Sequence, residues 1–220
     1  MQNCRLPTRQ QCSELLKEYR VPSHIVRHSM ASAKMGVFLA ERLADAGHDV
    51  DVDLVERACM LHDLMRACDF KLQDFTRFEE PVSEDTKAFW RRLKEKYDGR
   101  GHEYAAYDVL RKKWPELAVT ILRHKYVAPI SESDKPQTWE DKLVYYADKR
   151  AMHETIVPLR QRLEEAHARS AANYGASKER QRQIAIIDGL IFEMEKEIFD
   201  EIAGVEADFV DDQFIDSFDG

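Results

Sequence analysis

The sequence predicts an all-α fold, and three observations predict it. Glycine and proline are scarce, eight and seven in 220 residues, which favours helices over a loop-rich β fold. Apolar residues recur at helical intervals: Leu54, Val55, Ala58, Cys59, Leu61 and Met65 share one side of the stretch from Asp53 to Arg66. Start and stop signals bracket this stretch and its neighbours, among them Asp53 with Glu56, Ser23, Gly47, Gly101, Pro115, and Thr138 with Asp141.

Residues 10–19 read as a short helix that ends before Val21-Pro22, because the residue preceding proline is pushed out of helical geometry. Ser23 can cap a long helix that continues to Ala46, with Gly47 as its stop. His28 is followed at helical intervals by Ala31, Ser32, Met35, Gly36 and Leu39; small residues beside a histidine let another helix come close. The next helix opens on a capping box of Asp53 and Glu56 and is buried along its apolar side. Residues 69–100 scatter Phe70, Phe75, Phe78, Phe89 and Trp90 among charged residues and contain one helix near Glu84–Tyr97. Gly101 opens a helix with Ala105, Ala106, Val109 and Leu110 inward, and Pro115 suits the first turn of another that ends around His124. Thr138 and Asp141 cap a helix that carries Asp148, and residues 155–170 and 176–199 read as two amphipathic helices paired as a hairpin.

The expected organisation is one domain over residues 1–199, with a core at 22–155 and C-terminal helices at 155–199. Residues 200–220 form an acidic tail that is either disordered or docked through Phe209, Phe214, Ile215 and Phe218.

The eight acids of that tail account for the whole excess of 41 acidic over 33 basic residues. A neutral body argues against duplex nucleic acid as a partner, which needs a clustered basic face, and leaves room for a local basic pocket. Cys4, Cys12, Cys59 and Cys68 form no Cys-x-x-Cys pair, and Cys59 falls on an apolar helix face as a free thiol would. The amino end lacks the apolar run of a signal peptide and no stretch of about 18 apolar residues exists to span a bilayer. The expected setting is the cytoplasm, with no membrane partner.

His62 lies eight, seven, four and three residues after Leu54, Val55, Ala58 and Cys59, so it points into the apolar side with Asp63 beside it. A carboxylate there must find a cation. Reading the other helices the same way collects His28, His62, Asp63, His102, His124 and Asp148 as inward-facing polar residues. Four imidazoles and two carboxylates suit divalent ions of the Fe, Mn, Co, Ni or Zn series rather than a Ca²⁺ or Mg²⁺ cage. The number of ligands fits two ions with Asp63 between them. His48-Asp49 has no such setting, and His24, His153 and His167 sit in charged surroundings as surface residues do.

The series resembles the HD-domain superfamily of metal-dependent phosphohydrolases, whose pattern is a His on one helix, a His-Asp pair at a later helix end, and a distal Asp. The matching stretches are Arg27-His28-Ser29, Leu61-His62-Asp63-Leu64 and Tyr146-Ala147-Asp148-Lys149. Gly101-His102-Glu103 and Arg123-His124-Lys125 are similar to the additional pair of the dinuclear branch, which includes bacterial diadenosine tetraphosphate hydrolases and HDIG-type cyclic dinucleotide phosphodiesterases. The resemblance implies an HD-type helical bundle in which His28, His62, Asp63 and Asp148 hold one divalent ion and Asp63, His102 and His124 a second. It implies hydrolysis of a phosphate ester or anhydride, of nucleotide type, by a hydroxide bridging two ions about 3.5–4 Å apart.

Asp63 and Arg66 are the candidate catalytic residues. Arg66, one turn after Asp63, could bind a phosphate oxygen, with Lys125 and Lys149 as weaker phosphate contacts. Two alternatives share the same scaffold: a di-iron oxygenase, and a non-catalytic sensor that binds a nucleotide. A homodimer is common among similar proteins, and the aromatics of 69–100 could serve an interface or a lid.

Overall fold

A computed structural model of the chain describes residues 5–71, 75, 78–175 and 177–218. Residues 1–4, 72–74, 76–77, 176 and 219–220 lie outside it, so the readings made of the amino end, of part of the aromatic segment and of the last two residues are not addressed. Ten α-helices and a two-residue-per-strand ladder are described. Among the described residues no helix is long and apolar enough to cross a membrane.

Helix α1 (Arg9–Glu18) starts at a capping box made by Thr8 and Gln11, and the chain turns at Arg20, whose φ of 55° lies in the left-handed region. Helix α2 (Ser23–Asp45) begins at Pro22 without a side-chain cap, so Ser23 is its first residue rather than the cap expected of it. Helix α3 (Val52–Leu61) is capped by Asp51, whose carboxylate accepts the Leu54 N–H. Asp53, expected as the cap, lies in the first turn and pairs with Arg57. Next comes the 3₁₀ turn Arg66–Asp69, then helix α4 (Glu84–Lys96), capped by Ser83. Buried Trp90 gathers Phe70, Phe75 and Phe78 about it.

Helix α5 (His102–Leu110) follows Gly101, and α6 (Pro115–Leu122) starts on Pro115 and stops two residues short of His124. Helix α7 (Trp139–Arg150) opens on the expected capping box of Thr138 and Asp141. Strands β1 (Ala151–Met152) and β2 (Thr155–Ile156) pair antiparallel, an element the sequence reading did not include. Helices α8 (Leu159–Tyr174) and α9 (Lys178–Asp200) form the expected hairpin.

The core is the contact of α2 with α3 and α7, against which the α5–α6 pair packs through α3 and α7 and the hairpin through α7. Gly36 is where α2 comes closest to its neighbours: a Cβ there would stand 2.9 Å from Cys59 Sγ, 3.0 Å from Val55 Cγ1 and 3.7 Å from the Ala147 Cβ. This crossing sets His28, His62 and Asp148 at one end of three packed helices. Cys12, Cys59 and Cys68 are free and buried.

Residues 205–218 of the tail are placed on the body, but Phe209, one of the four side chains expected to dock it, is 67% exposed. A 3₁₀ turn (Ala207–Phe209) and helix α10 (Asp212–Asp216) lie on the body, with Val210 and Ile215 buried. Phe214 packs edge to face on Phe38 of α2 and Phe218 packs on it tilted, at ring-centroid distances of 6.0 and 5.6 Å.

Candidate metal centre

All six expected ligands meet in one place. His28 (α2), His62 with Asp63 (at the end of α3), His102 (first residue of α5), His124 (just past α6) and Asp148 (α7) come from five separate elements. His28, His62 and Asp63 offer ligand atoms that lie within 4.8 Å of one another, and so do Asp63, His102 and His124, with Asp63 common to both groups. Asp148 Oδ1 lies 3.0 Å from His28 Nε2 and 3.5 Å from His62 Nε2, on the first group's side.

The tautomers follow from the helix ends. His62 Nδ1 donates to the Cys59 carbonyl at 2.7 Å and His124 Nδ1 to the Ile121 carbonyl at 2.5 Å. Each accepting carbonyl is three residues back, in the last turn of a helix, and that of Ile121 also takes the His124 backbone N–H at 3.3 Å. With the proton on Nδ1, both Nε2 atoms present a bare lone pair. His62 Nε2 is buried with no hydrogen-bond partner and faces carboxylate oxygens of Asp148 and Asp63 at 3.5 and 3.8 Å. A lone pair facing two anionic oxygens is repulsive unless a cation or a proton stands between them; without a cation, burial is overcome by Asp63 and Asp148, which push the His62 imidazole above its usual value. His102 Nε2 lies 3.2 Å from His124 Nε2 and 3.0 Å from Asp63 Oδ1, the same situation on the other side of Asp63. The donor set therefore fits divalent ions that accept imidazole and carboxylate together.

Charge agrees with geometry. Burial alone would raise the Asp63 and Asp148 carboxyls, but Arg66, His62 and His102 around the first, and Lys149, His28 and His62 around the second, hold both well below the usual range. Burial and Arg66 oppose charge on His102, yet Asp63 and Asp69 push it up to about 9. His124 goes the other way, well below the usual imidazole range, first through burial and then through His62 and His102. The centre is thus built of ionised carboxylates and imidazoles competing for a positive charge.

Asp69 is a partner the sequence reading did not identify. It closes the 3₁₀ turn, and its Oδ2 takes His102 Nδ1 at 2.5 Å, an arrangement that fixes the ring and aims Nε2 at Asp63. The spacing Arg66-x-x-Asp69 was the available signal. Arg66 reaches over the same histidine, with Nη1 3.0 Å from His102 Nδ1 and Nε 4.0 Å from Asp63 Oδ1, and 42% of its side chain is exposed. It stands at the mouth of the centre. Lys125 is half-buried, its Cε 4.0 Å from where a Gly101 Cβ would be.

Lys149 is buried and turned inward: its Nζ meets Asp148 Oδ2 at 2.5 Å and the His124 carbonyl at 3.3 Å and lies over the Tyr145 ring. That makes it a support for two of the expected ligands, Asp148 and His124. Glu103 is buried 3.6 Å from His102 Nδ1. His153 is exposed, as expected, while His24 is half-buried against Phe78 and His167 is half-buried beside Asp188.

No curated protein and no solved structure gave a match to this chain. A profile of the HD domain family matches residues 25–153, a span that takes in all six converging side chains. The match covers more than half of the chain, which belongs to the HD-domain superfamily, whose members are in general metal-dependent hydrolases.

Proposed function

We propose that the protein hydrolyses a phosphate ester or anhydride, with nucleotides as the substrate class. On this reading His28, His62, Asp63 and Asp148 hold one divalent transition-metal ion and Asp63, His102 and His124 a second. The observation that carries it is the partnerless His62 Nε2, buried and aimed at two carboxylates. Bound ions would supply Lewis-acid polarisation of phosphoryl oxygens and an activated water at neutral pH.

The chain's own residues do the rest. Asp63 lies between the two groups of ligands and keeps its negative charge. Asp69 orients His102 from outside the ligand set. Arg66 is the phosphate contact: it stays charged, stands beside Asp63 and is open to solvent, and its planar fork matches two phosphoryl oxygens. Lys125, close to the start of α5, adds a second cation at the rim, whereas Lys149 is already engaged by the ligands it supports.

The test is elemental analysis of the full chain purified without chelator, followed by turnover of nucleotides and of bis(p-nitrophenyl) phosphate with each metal found. Asp63→Ala is expected to lose bound metal and at least 10³-fold in turnover together, since one side chain serves both groups of ligands. Full turnover in that variant refutes the proposal. So does an iron-loaded protein that consumes dioxygen and releases no phosphate, or one that binds nucleotides and turns none over.

A further inference from the structure

The family match ends at His153, but the support of His124 continues beyond it. His124 sits between α6 and the 3₁₀ turn Ala128–Ile130, in a short connection without a helical ladder to fix it. Ligands must be held to within about 0.5 Å to bind an ion well, so the connection has to be anchored by side chains. Three anchors come from within the matched region. His124 Nδ1 donates to Ile121, Lys149 Nζ donates to the His124 carbonyl at 3.3 Å, and the buried Tyr145 hydroxyl donates to the Tyr126 carbonyl at 2.9 Å.

A fourth comes from outside. The Tyr126 hydroxyl donates to Asp188 Oδ1 of α9 at 2.9 Å, and Asp188 Oδ2 takes His167 Nε2 of α8 at 2.8 Å. The His167 ring also lies against Tyr126, edge to face with centroids 6.0 Å apart. The hairpin already holds itself to the body through buried Ile187, Ile191, Met194 and Ile198. A half-exposed Asp–His pair adds little to that; what it does is give Tyr126 an acceptor in a fixed place.

We infer that the α8–α9 hairpin is a working part of the metal centre, with Asp188 a positioning residue that acts on His124 through Tyr126. This rests on the reading that His124 holds a cation. Asp188 touches neither ion nor substrate. Its carboxylate, oriented by His167, fixes the Tyr126 ring; Tyr126 fixes the backbone two residues after His124. The ion held by Asp63, His102 and His124 should feel the loss of Asp188, and the ion held by His28, His62 and Asp148 should not.

The experiment is equilibrium binding of Mn²⁺ to the chelator-stripped full chain, free Mn²⁺ being read by electron paramagnetic resonance. The wild type is compared with Asp188→Ala, Tyr126→Phe and the double variant. The expected result is two ions per wild-type chain, with about tenfold weaker binding of one of them in each single variant. The double variant should be no weaker than Asp188→Ala, because both act along one chain of contacts. Ile198→Val, which loosens the same hairpin without touching Asp188, should lower the melting temperature and leave both affinities at wild-type values. Unchanged binding in Asp188→Ala, or equal weakening of both ions, overturns the inference while leaving the proposed function in place. A wild-type chain that takes up fewer than two Mn²⁺ overturns the two-ion reading, and the hairpin's role with it.

Discussion

Asp69 makes one of the shortest contacts in the centre, 2.5 Å from Oδ2 to His102 Nδ1, yet 38% of its side chain is exposed. The pairing matters for what it does to the ring. A carboxylate on Nδ1 keeps the proton there, leaves Nε2 free to ligate and makes it more basic. Asp69→Asn keeps the shape and removes the charge. It is expected to weaken binding of the ion proposed for Asp63, His102 and His124 by about 10–100-fold, measured by competition against a chelator of known affinity. The melting temperature of the metal-free chain should fall as well, because His102 is buried and Asp69 is one of the two carboxylates that stabilise its charge. Wild-type affinity in Asp69→Asn would show that Asp63 and the backbone orient His102 without help.

At the scale of helices, two glycines put the same substitution in opposite environments. Gly36 lies where α2 meets α3 and α7, and a Cβ there would come within 2.9 Å of Cys59 Sγ and 3.0 Å of Val55 Cγ1. Both neighbours are short, fully buried side chains that cannot swing aside. Gly189 lies on the exposed side of α9, with nothing within 4 Å of such a Cβ. Gly36→Ala is therefore expected to destabilise by about 1–3 kcal/mol through overpacking, and Gly189→Ala to stabilise by about 0.5–1 kcal/mol through helix propensity. Urea denaturation of the two variants decides it; a stabilised Gly36→Ala would mean that α2 and α3 can part without loss.

The same scale explains what the sequence made legible. His28, His62, His102, His124 and Asp148 could be found because each stands three, four or seven positions from inward-facing residues, His28 and His102 before them and the other three after them, a spacing that only a helix turns into a direction. Asp69 lies in a single 3₁₀ turn, which is too short for any period. Asp188 lies on a long periodic helix, but its partner Tyr126 is in a connection whose path depends on tertiary contacts. The cap of α3 was misplaced because Asp51 and Asp53 are both acids at a helix start. Asp53 with Glu56 has the capping-box spacing, but the chain enters the helix two residues earlier and Asp53 pairs with Arg57 instead. The β1–β2 ladder has two residues per strand, too few for alternation to register.

On the scale of the whole molecule, residues 205–218 of the tail belong to the fold because of a buried charge. Arg150, two residues after Asp148, is fully buried. It donates to the Val157 carbonyl at 2.5 Å, to the Tyr146 hydroxyl at 2.5 Å, and to the tail carbonyls of Ala207 and Val210 at 3.1 and 2.7 Å. Its nearest carboxylate, Glu195, is 3.8 Å away. The tail thus supplies acceptors for a guanidinium that would otherwise be buried half-satisfied, and Asp212 adds a tie by accepting the Ile156 N–H and pairing with Lys34. Ending the chain at Gly204 removes both carbonyls and, with Val210, Phe214 and Ile215 gone, uncovers the apolar surfaces they cover. Stranding a buried charge costs about 3–5 kcal/mol, a large part of a typical domain's stability, and the truncated chain should unfold at correspondingly lower urea. Arg150→Met in the truncated chain should recover part of the loss, since an apolar side chain of similar length needs no acceptors. If the truncated chain and its Arg150→Met variant unfold at the same urea concentration as the full chain, the tail is an ornament and Arg150 is satisfied without it.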